Sequence, residues 1–413
     1  MRRKIHSTYY MFIYLCLFFI ILAFVMDTPT EILLGFKKIL FESNILITDY
    51  IELAGIGATF INMSLVVLAS ISLLIYVGIK PNGSTIAALF TMAGFSLFGK
   101  NIVNIWPIIF GIWLYSKYQK EKFINYVLIA LFATTLSPTV NELSFSGHLP
   151  FEGNIIIGIL LSTFIGFIFP PMAAYCLKLH QGYNLYNIGF AAGLLATLLM
   201  SLLRAFGINF ESRLLWSTGN NLFFSTILIC LFIVMIIVGY IDNGKNFKTL
   251  FKLYKQPGRL VSDYYLLFGR GITMINMGIL GIYSVSFLLV IGGDLNGPTI
   301  GGILTIVGFG AFGKHLKNVF PVMIGATLSS LLNIWPINSP SMVLGILFSS
   351  TLAPISGQFG LAYGCLAGFL HICLMMNLAY LHGGLNLYNN GFAGGMVCII
   401  LIPIITAFRK ELK

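Results

Sequence analysis

Residues 80–111 (KPNGSTIAALFTMAGFSLFGKNIVNIWPIIFG) and residues 294–325 (DLNGPTIGGILTIVGFGAFGKHLKNVFPVMIG) are two versions of one segment. A single shift of 214 residues (82 to 296) pairs Asn82 with Asn296, Thr85 with Thr299, Gly94 with Gly308, Lys100 with Lys314 and Pro107 with Pro321. The same shift aligns Asp49, Gly55, Gly57, Thr59 and Asn62 with Asp263, Gly269, Gly271, Thr273 and Asn276. Downstream the register drifts and the match survives. TTLSPTVNEL from Thr134 pairs with STLAPISGQF from Ser350, and HQGYNLYNIGFAAG from His180 pairs with HGGLNLYNNGFAGG from His382. Chance does not produce four blocks in the same order. The chain therefore reads as one unit used twice, residues 1–207 and 220–413, with a linker at 208–219.

What each unit can be follows from its charge. Only 9% of residues are charged and 58% are hydrophobic, whereas soluble domains carry about 25% charged residues. A surface so poor in charge faces lipid. The apolar runs are continuous, as at 9–25 and 222–240. Each approaches the ~20 residues that a helix needs to cross the hydrocarbon core. A transmembrane barrel would alternate apolar and polar residues instead. Seven such segments recur in each copy: 8–26, 54–79, 84–99, 101–116, 123–141, 154–177 and 185–206, then 222–240, 268–291, 299–313, 318–335, 341–355, 360–380 and 386–407. Segment 84–99 spans only about 24 Å at ~1.5 Å per residue, against a core of ~30 Å. The short segments are thus candidates for re-entrant half-helices. The expected fold is an all-α integral membrane protein of 10–14 spans in two repeats. Stretches 32–42 and 247–254 mix Lys with apolar residues and are expected at the interface. The basic start MRRKIH before an apolar run imitates a signal peptide. Its segment, however, matches the mid-chain run 222–240, so it is expected to stay attached.

The formal charge of +11 does not indicate nucleic acid, because the basic residues lie between apolar runs. With the N-terminus in the cytoplasm and every segment crossing, the outer side holds only Lys37, Lys38, Lys100, Arg204 and Arg213 of the 24 Lys and Arg. That split obeys the positive-inside rule and puts both termini in the cytoplasm of a cell-membrane protein. An odd number of crossings per copy makes the second copy run upside down. Inverted repeats of this kind place a solute site near the midplane between the copies.

Few motifs carry chemistry. Residues 308–314 (GFGAFGK) fit both GxGxxG and GxxxxGK. A P-loop needs Ser or Thr after its Lys; here His315 follows, and Asn101 follows Lys100. The segment reads better as a helix end, with Gly99 and Gly313 as C-terminal caps and the next Lys at the negative end of the dipole. Lys100 and Lys314 are expected to snorkel to headgroups; the alternative is that they hold an anionic solute. Polar pairs inside apolar runs, Asn62/Asn276, Asn104/Asn318, Asn184/Asn386, Tyr186/Tyr388 and Asn187/Asn389, serve helix packing or solute contact. The breaks at Asn82 and Asn296, with Thr85 and Thr299, rank highest as solute sites, since a broken helix frees backbone groups. Glu142 matches Gln358, so a carboxylate occurs in one copy only and is the candidate for ion coupling. Asp49 and Asp263 are paired and expected at an interface. The turns at Pro138 and Pro354 read as helix breaks. The six cysteines all lie in apolar runs and are expected to be small buried residues. No zinc motif or nucleophile triad is present, and no enzyme, metal or cofactor is expected.

The blocks NLYNxGFAxG and NGxTIxxxxTxxGFxxFGK resemble a family of bacterial multi-span membrane proteins described as a domain of unknown function. The resemblance covers most of the chain and implies a multi-span fold, with no activity or site residues attached. More remotely, the glycine-rich YN segment is similar to urea channels, which are also inverted repeats, although their LPxxTxPF signature is absent. Seven-plus-seven transporters of nucleobases and anions are an analogy of span count alone. The expected function is a secondary transporter or channel for a small polar or anionic solute, with membrane lipid and a second copy in a homo-oligomer as the candidate partners. The rivals are a membrane enzyme on a lipid-linked substrate, and a scaffold or sensor.

Overall fold

The computed structural model describes residues 6–145, 151–332 and 334–411. Arg2, Arg3, Lys4 and Lys413, used in the charge argument, lie outside the described residues. The first copy forms α1 (Ser7–Met26), α2 (Pro29–Phe41), α3 (Tyr50–Ala54), α4 (Ile56–Val77), α5 (Gly83–Phe95), α6 (Trp106–Tyr118), α7 (Val127–Ala133), α8 (Pro138–Phe145), α9 (Phe151–Leu179) and α10 (Asn187–Ala205). The second forms α11 (Asn221–Asp242), α12 (Lys248–Leu253), α13 (Tyr264–Val290), α14 (Gly297–Phe309), α15 (Leu316–Leu328), α16 (Pro340–Ser349), α17 (Ala353–Phe359), α18 (Leu361–Leu378) and α19 (Asn389–Glu411). The copies break at equivalent places. Gly55 (φ 86°) separates α3 from α4, and Gly269 (φ 81°) interrupts α13 at the matching position.

Among the described residues, nine helices are long and apolar enough to cross a membrane. A tenth span exists if Val127–Leu136 and Pro138–Ser144, bent by 44°, count as one. This is a multi-pass helical membrane protein. Fourteen full crossings are not what forms, and the reason is length. Helices α5, α6, α14 and α15 have 13 residues each, roughly 20 Å of rise. Pro138 follows the bend, as the missing N–H of proline dictates. The long helices show apolar side chains outward. Leu17, Phe18, Ile21 and Phe24 of α1 are exposed, as are Leu222, Val234, Ile237 and Ile241 of α11. Such stripes suit lipid. Cys16, Cys176 and Cys398 are buried as expected; Cys230 is exposed and Cys365 and Cys373 half-buried, all as free thiols. The expectation of uniform burial fails because an apolar run in lipid has an outer face too.

The core is built on α5 and α14. Both are buried almost throughout, and they lie against each other antiparallel. The start of α5 abuts the end of α14, with an ideal Cβ on Gly83 falling 2.2 Å from Ala311 O. The start of α14 abuts the end of α5, where a Cβ on Gly297 would fall 2.5 Å from Leu97 O. Midway, a Cβ on Gly94 would sit 2.7 Å from Gly301 O and 2.9 Å from its Cα. Backbones approach this closely only where side chains are absent. Each N-terminus is held by a carboxylate from the other copy. Gly83 N donates to Asp263 Oδ2 (2.9 Å) and Gly297 N to Asp49 Oδ1 (3.1 Å).

Gly94→Ala is therefore expected to force α5 and α14 apart at a cost of about 1–3 kcal/mol. Gly153→Ala, where a Cβ meets nothing within 4 Å, serves as the control. Thermal unfolding in detergent should show a clear drop for the first variant and none for the second; equal behaviour would contradict the close packing.

Candidate functional site

A helix that stops inside the protein must find partners for its last carbonyls. Helix α5 stops at Phe95 and the chain turns through Gly99 (φ 86°), bringing Lys100 N back to Phe95 O at 3.0 Å. Helix α14 repeats this with Gly313 (φ 107°) and Lys314 N to Phe309 O at 2.9 Å. The C-caps are Ser96 and Gly310. Gly99 and Gly313, expected as the caps, lie three residues beyond them and close the next turn instead. Asn62 Nδ2 donates to Ser96 O and Lys100 O (2.8 and 2.9 Å), and Asn276 Nδ2 to Gly310 O and Lys314 O (both 2.8 Å). Asn104 and Asn318 reach Gly99 O and Gly313 O in the same way. Two of the polar pairs read from the sequence thus hold the breaks.

Lys100 and Lys314 are fully buried, each 0% exposed. They do not snorkel. The tip of α5 is covered where Tyr50 N donates to Leu97 O (3.1 Å) and Asp49 pairs with Phe98, so the side chains turn inward. Lys100 Nζ donates to Tyr388 Oη at 2.7 Å and lies 3.6 Å from Met92 Sδ. Lys314 Nζ donates to Tyr186 Oη and to Ser350 Oγ (2.7 Å). Each Nζ also stands over its tyrosine ring, 4.8 Å and 4.4 Å from the centroids. Each lysine takes its tyrosine from the other copy. Among the described residues no carboxylate forms an ion pair with either lysine.

The tyrosines are set by the NLYN segments that open α10 and α19. Asn184 Nδ2 donates to Gly391 O (2.9 Å) and Asn386 Nδ2 to Gly189 O (3.2 Å). Thr351 Oγ1 donates to Asn184 Oδ1 (2.5 Å) and Thr135 Oγ1 to Asn386 Oδ1 (3.0 Å). The backbone N–H of Tyr186 and Tyr388 then donate to Thr351 and Thr135 hydroxyls (3.0 and 2.9 Å). The NLYN segment of each copy is stitched to the proline break of the other. Gly189 and Gly391 meet face to face, with a Cβ on either falling 3.0 Å or less from the Cα of its partner.

Between these parts lies a chamber of about 200 Å³. Equivalent residues of both copies line it: Thr91 and Thr305, Phe95 and Phe309, Tyr186 and Tyr388, Gly189 and Gly391. Phe348 bridges the two halves, 5.6 Å from Phe95 and 6.1 Å from Tyr186, ring to ring. The first residues of α10 and α19 face the chamber, so two helix N-termini point at it, and the α10 start has no side-chain cap. The lining continues to Leu260 and the exposed Val261. Their equivalents, Leu46 and Ile47, are absent from the lining. Ile47 instead exchanges backbone bonds with the linker, Ile47 N to Arg213 O (2.9 Å) and Leu215 N to Ile47 O (3.0 Å), while Ser217 donates twice to the buried Asp49.

Of the site residues chosen from sequence, none lines this chamber; Lys100 and Lys314 stand behind it, on the hydroxyls of the lining Tyr388 and Tyr186, Asn184 and Asn386 hold the segments that present those tyrosines, and Asn62 and Asn276 hold the helix breaks. Asn82, Thr85, Asn296 and Thr299 are not in its lining. They form two capping boxes, with Thr85 N on Asn82 Oδ1 (2.9 Å) and Asn296 N on Thr299 Oγ1 (2.9 Å). Glu142 lies on α8, accepting from Ser43 Oγ (2.5 Å) and Asn44 N (3.2 Å), away from both lysines' partners. The chamber threonines and phenylalanines were not chosen, although the shared pattern TxxGFxxFGK pairs Thr91 with Thr305 and Phe95 with Phe309.

A family described as "Protein of unknown function (DUF1576)" matches residues 28–205 and 242–407. No curated protein and no solved structure matches.

The cross-copy bond is testable by a double-mutant cycle. Tyr388→Phe should cost about 1–3 kcal/mol by stranding a buried ammonium. In a Lys100→Met background the same change should cost well under half of that. Additive costs in detergent unfolding would show that the two groups do not interact.

Proposed function

We propose that this chain, which belongs to the DUF1576 family, is a secondary transporter or channel for a small anionic solute that occupies the chamber between its copies. The observation that carries the reading is a pair of buried lysines with no carboxylate ion pair among the described residues, each donating to a tyrosine that lines the chamber. An unpaired charge this deep costs several kcal/mol. Tyrosine hydroxyls and ring faces offset part of that cost. An anion in the chamber offsets more, and the N-terminal dipole ends add to the attraction. The volume limits the solute. At about 200 Å³ the chamber admits only a small solute.

The antiparallel α5 and α14, their reciprocal Asp49 and Asp263 caps, and the charge distribution along the chain support inverted copies. In that orientation the N-terminus is cytoplasmic, and the opening at Leu260 and Val261, next to Arg259, faces the cytoplasm. Segments 45–49 and 259–263 are then equivalent gates, the first shut by the linker. Thr91, Thr305 and the NLYN segments contact the solute, and Asn62 and Asn276 keep the breaks rigid. Asn82, Thr85, Asn296 and Thr299 position the half-helices. Glu142 is the candidate for proton coupling, since its protonation would loosen Ser43 and Asn44 from α8.

Uptake across a panel of small anions and neutral solutes in reconstituted vesicles tests this. At least one anion should accumulate, and Lys100→Gln/Lys314→Gln should cut its uptake tenfold or more while the variant still elutes as a folded particle. Undiminished uptake by the folded double variant would remove the lysines from the mechanism.

A further inference from the structure

A second hollow is lined by the first copy alone and shares no lining residue with the chamber. It is a groove of about 1210 Å³, about six times the volume of the chamber. Its walls come from α4, α6 and α9, with Tyr76, Trp106, Phe110 and Ile159 among them. Helices α4 and α9 are spans, and the exposed apolar side chains of this wall, including Trp106, Phe110 and Ile159, face the surroundings of the first copy. Hydrocarbon is what such a wall meets. The deep end holds Asn101, Asn104 and Asn141, but these amides serve one another and the backbone. Asn104 Nδ2 donates to Asn141 Oδ1 (3.0 Å) and Asn101 Nδ2 to Ile39 O (3.0 Å). They leave the groove apolar along most of its length.

The other end is charged. Lys117, at the end of α6, and Lys122, just before α7, both line it and are both exposed. Lys117 stands 5.5 Å over the Trp113 ring. The nearby carboxylate, Glu121, accepts from Asn125 Nδ2 (3.2 Å). The local balance is positive, since Lys120 sits on the same turn. The matching stretch of the second copy, 330–339, contains no Lys or Arg. An aromatic, apolar trough between spans, ending in paired lysines, is complementary to one molecule in charge and in polarity.

We infer that this groove binds a single anionic phospholipid, its phosphate between Lys117 and Lys122 and an acyl chain along α6 toward Asn101. Basic pockets between spans recognise anionic headgroups in this way. The proposal does not depend on the solute reading. Native mass spectrometry of the full chain in mild detergent, titrated with phosphatidylglycerol or phosphatidylcholine of equal chain length, tests it. One phosphatidylglycerol should be retained about thirtyfold more readily than phosphatidylcholine, as two lysines at ~1 kcal/mol each would give. Lys117→Gln/Lys122→Gln should abolish that preference, and Ile159→Trp should displace both lipids by filling the trough. Equal retention of the two lipids, or a preference that survives the lysine changes, would overturn the proposal. The lysine pair is exposed, so its variant decides the matter even if Ile159→Trp fails to fold.

Discussion

Backbone groups left open inside a membrane protein must be closed by the protein itself, because lipid offers no hydrogen bonds. Each such group left unpaired costs roughly 2–7 kcal/mol. Helices α5 and α14 end inside the protein, and so do the proline-broken segments before α8 and α17. The architecture answers this by exchange. The N–H of Gly83 is closed by Asp263 and that of Gly297 by Asp49. The carbonyls of Gly189 and Gly391 are closed by Asn386 and Asn184. Each copy closes the carbonyls at the end of its own half-helix through Asn62 and Asn104 or Asn276 and Asn318, and leaves these other groups to be closed by its counterpart. That mutual need explains why α5, α14, α10 and α19 meet at glycines rather than at side chains.

The same exchange fixes the lysines. Once Gly99 and Gly313 have turned the chain, Lys100 and Lys314 can only point inward, and each finds the tyrosine that the partner's NLYN segment presents. The tyrosines in turn stand where Thr135 and Thr351 hold their N–H groups. Structural closure and the proposed solute site are therefore one network. A change that loosens the closure should move the lysines too. The network's symmetry is broken at its edges. The linker seals the strand at Ile47, while Val261 at the equivalent place lies open. Lys100 Nζ lies 3.6 Å from Met92 Sδ, whereas Lys314 Nζ donates a hydrogen bond to Ser350 Oγ. Such differences let one closed framework carry two unequal ends.

Much of this was legible in the residues. The apolar segments located the long helices within a few positions, but the short α3 was not expected, and the segments 123–141 and 341–355 each form two short helices rather than one. The proline breaks were visible because each copy carries one. The site was legible only in part. Asn82 and Thr85 look like exposed polar groups at a helix break, yet a capping box uses the same residue types and consumes the same atoms. Lys100 looks like an interfacial lysine because its segment is short; only the cover supplied by Tyr50 and Asp49, 50 residues upstream, makes it a buried one. The chamber phenylalanines read as ordinary apolar residues, since nothing local distinguishes a ring that packs from a ring that lines a cavity. Cross-copy proximity is a property of the fold and leaves no spacing in the chain.

The central claim is that the closed network holds an anion at its middle. Anomalous diffraction from crystals of the full chain grown in bromide tests this most directly. The account predicts a bromide in the chamber, within ion-pair reach of Lys100 or Lys314 Nζ, about 4 Å, and near the tyrosine hydroxyls. Bromide found only at surface loops, with the lysines still bonded to Tyr388 and Tyr186 and no anomalous signal between them, would contradict it.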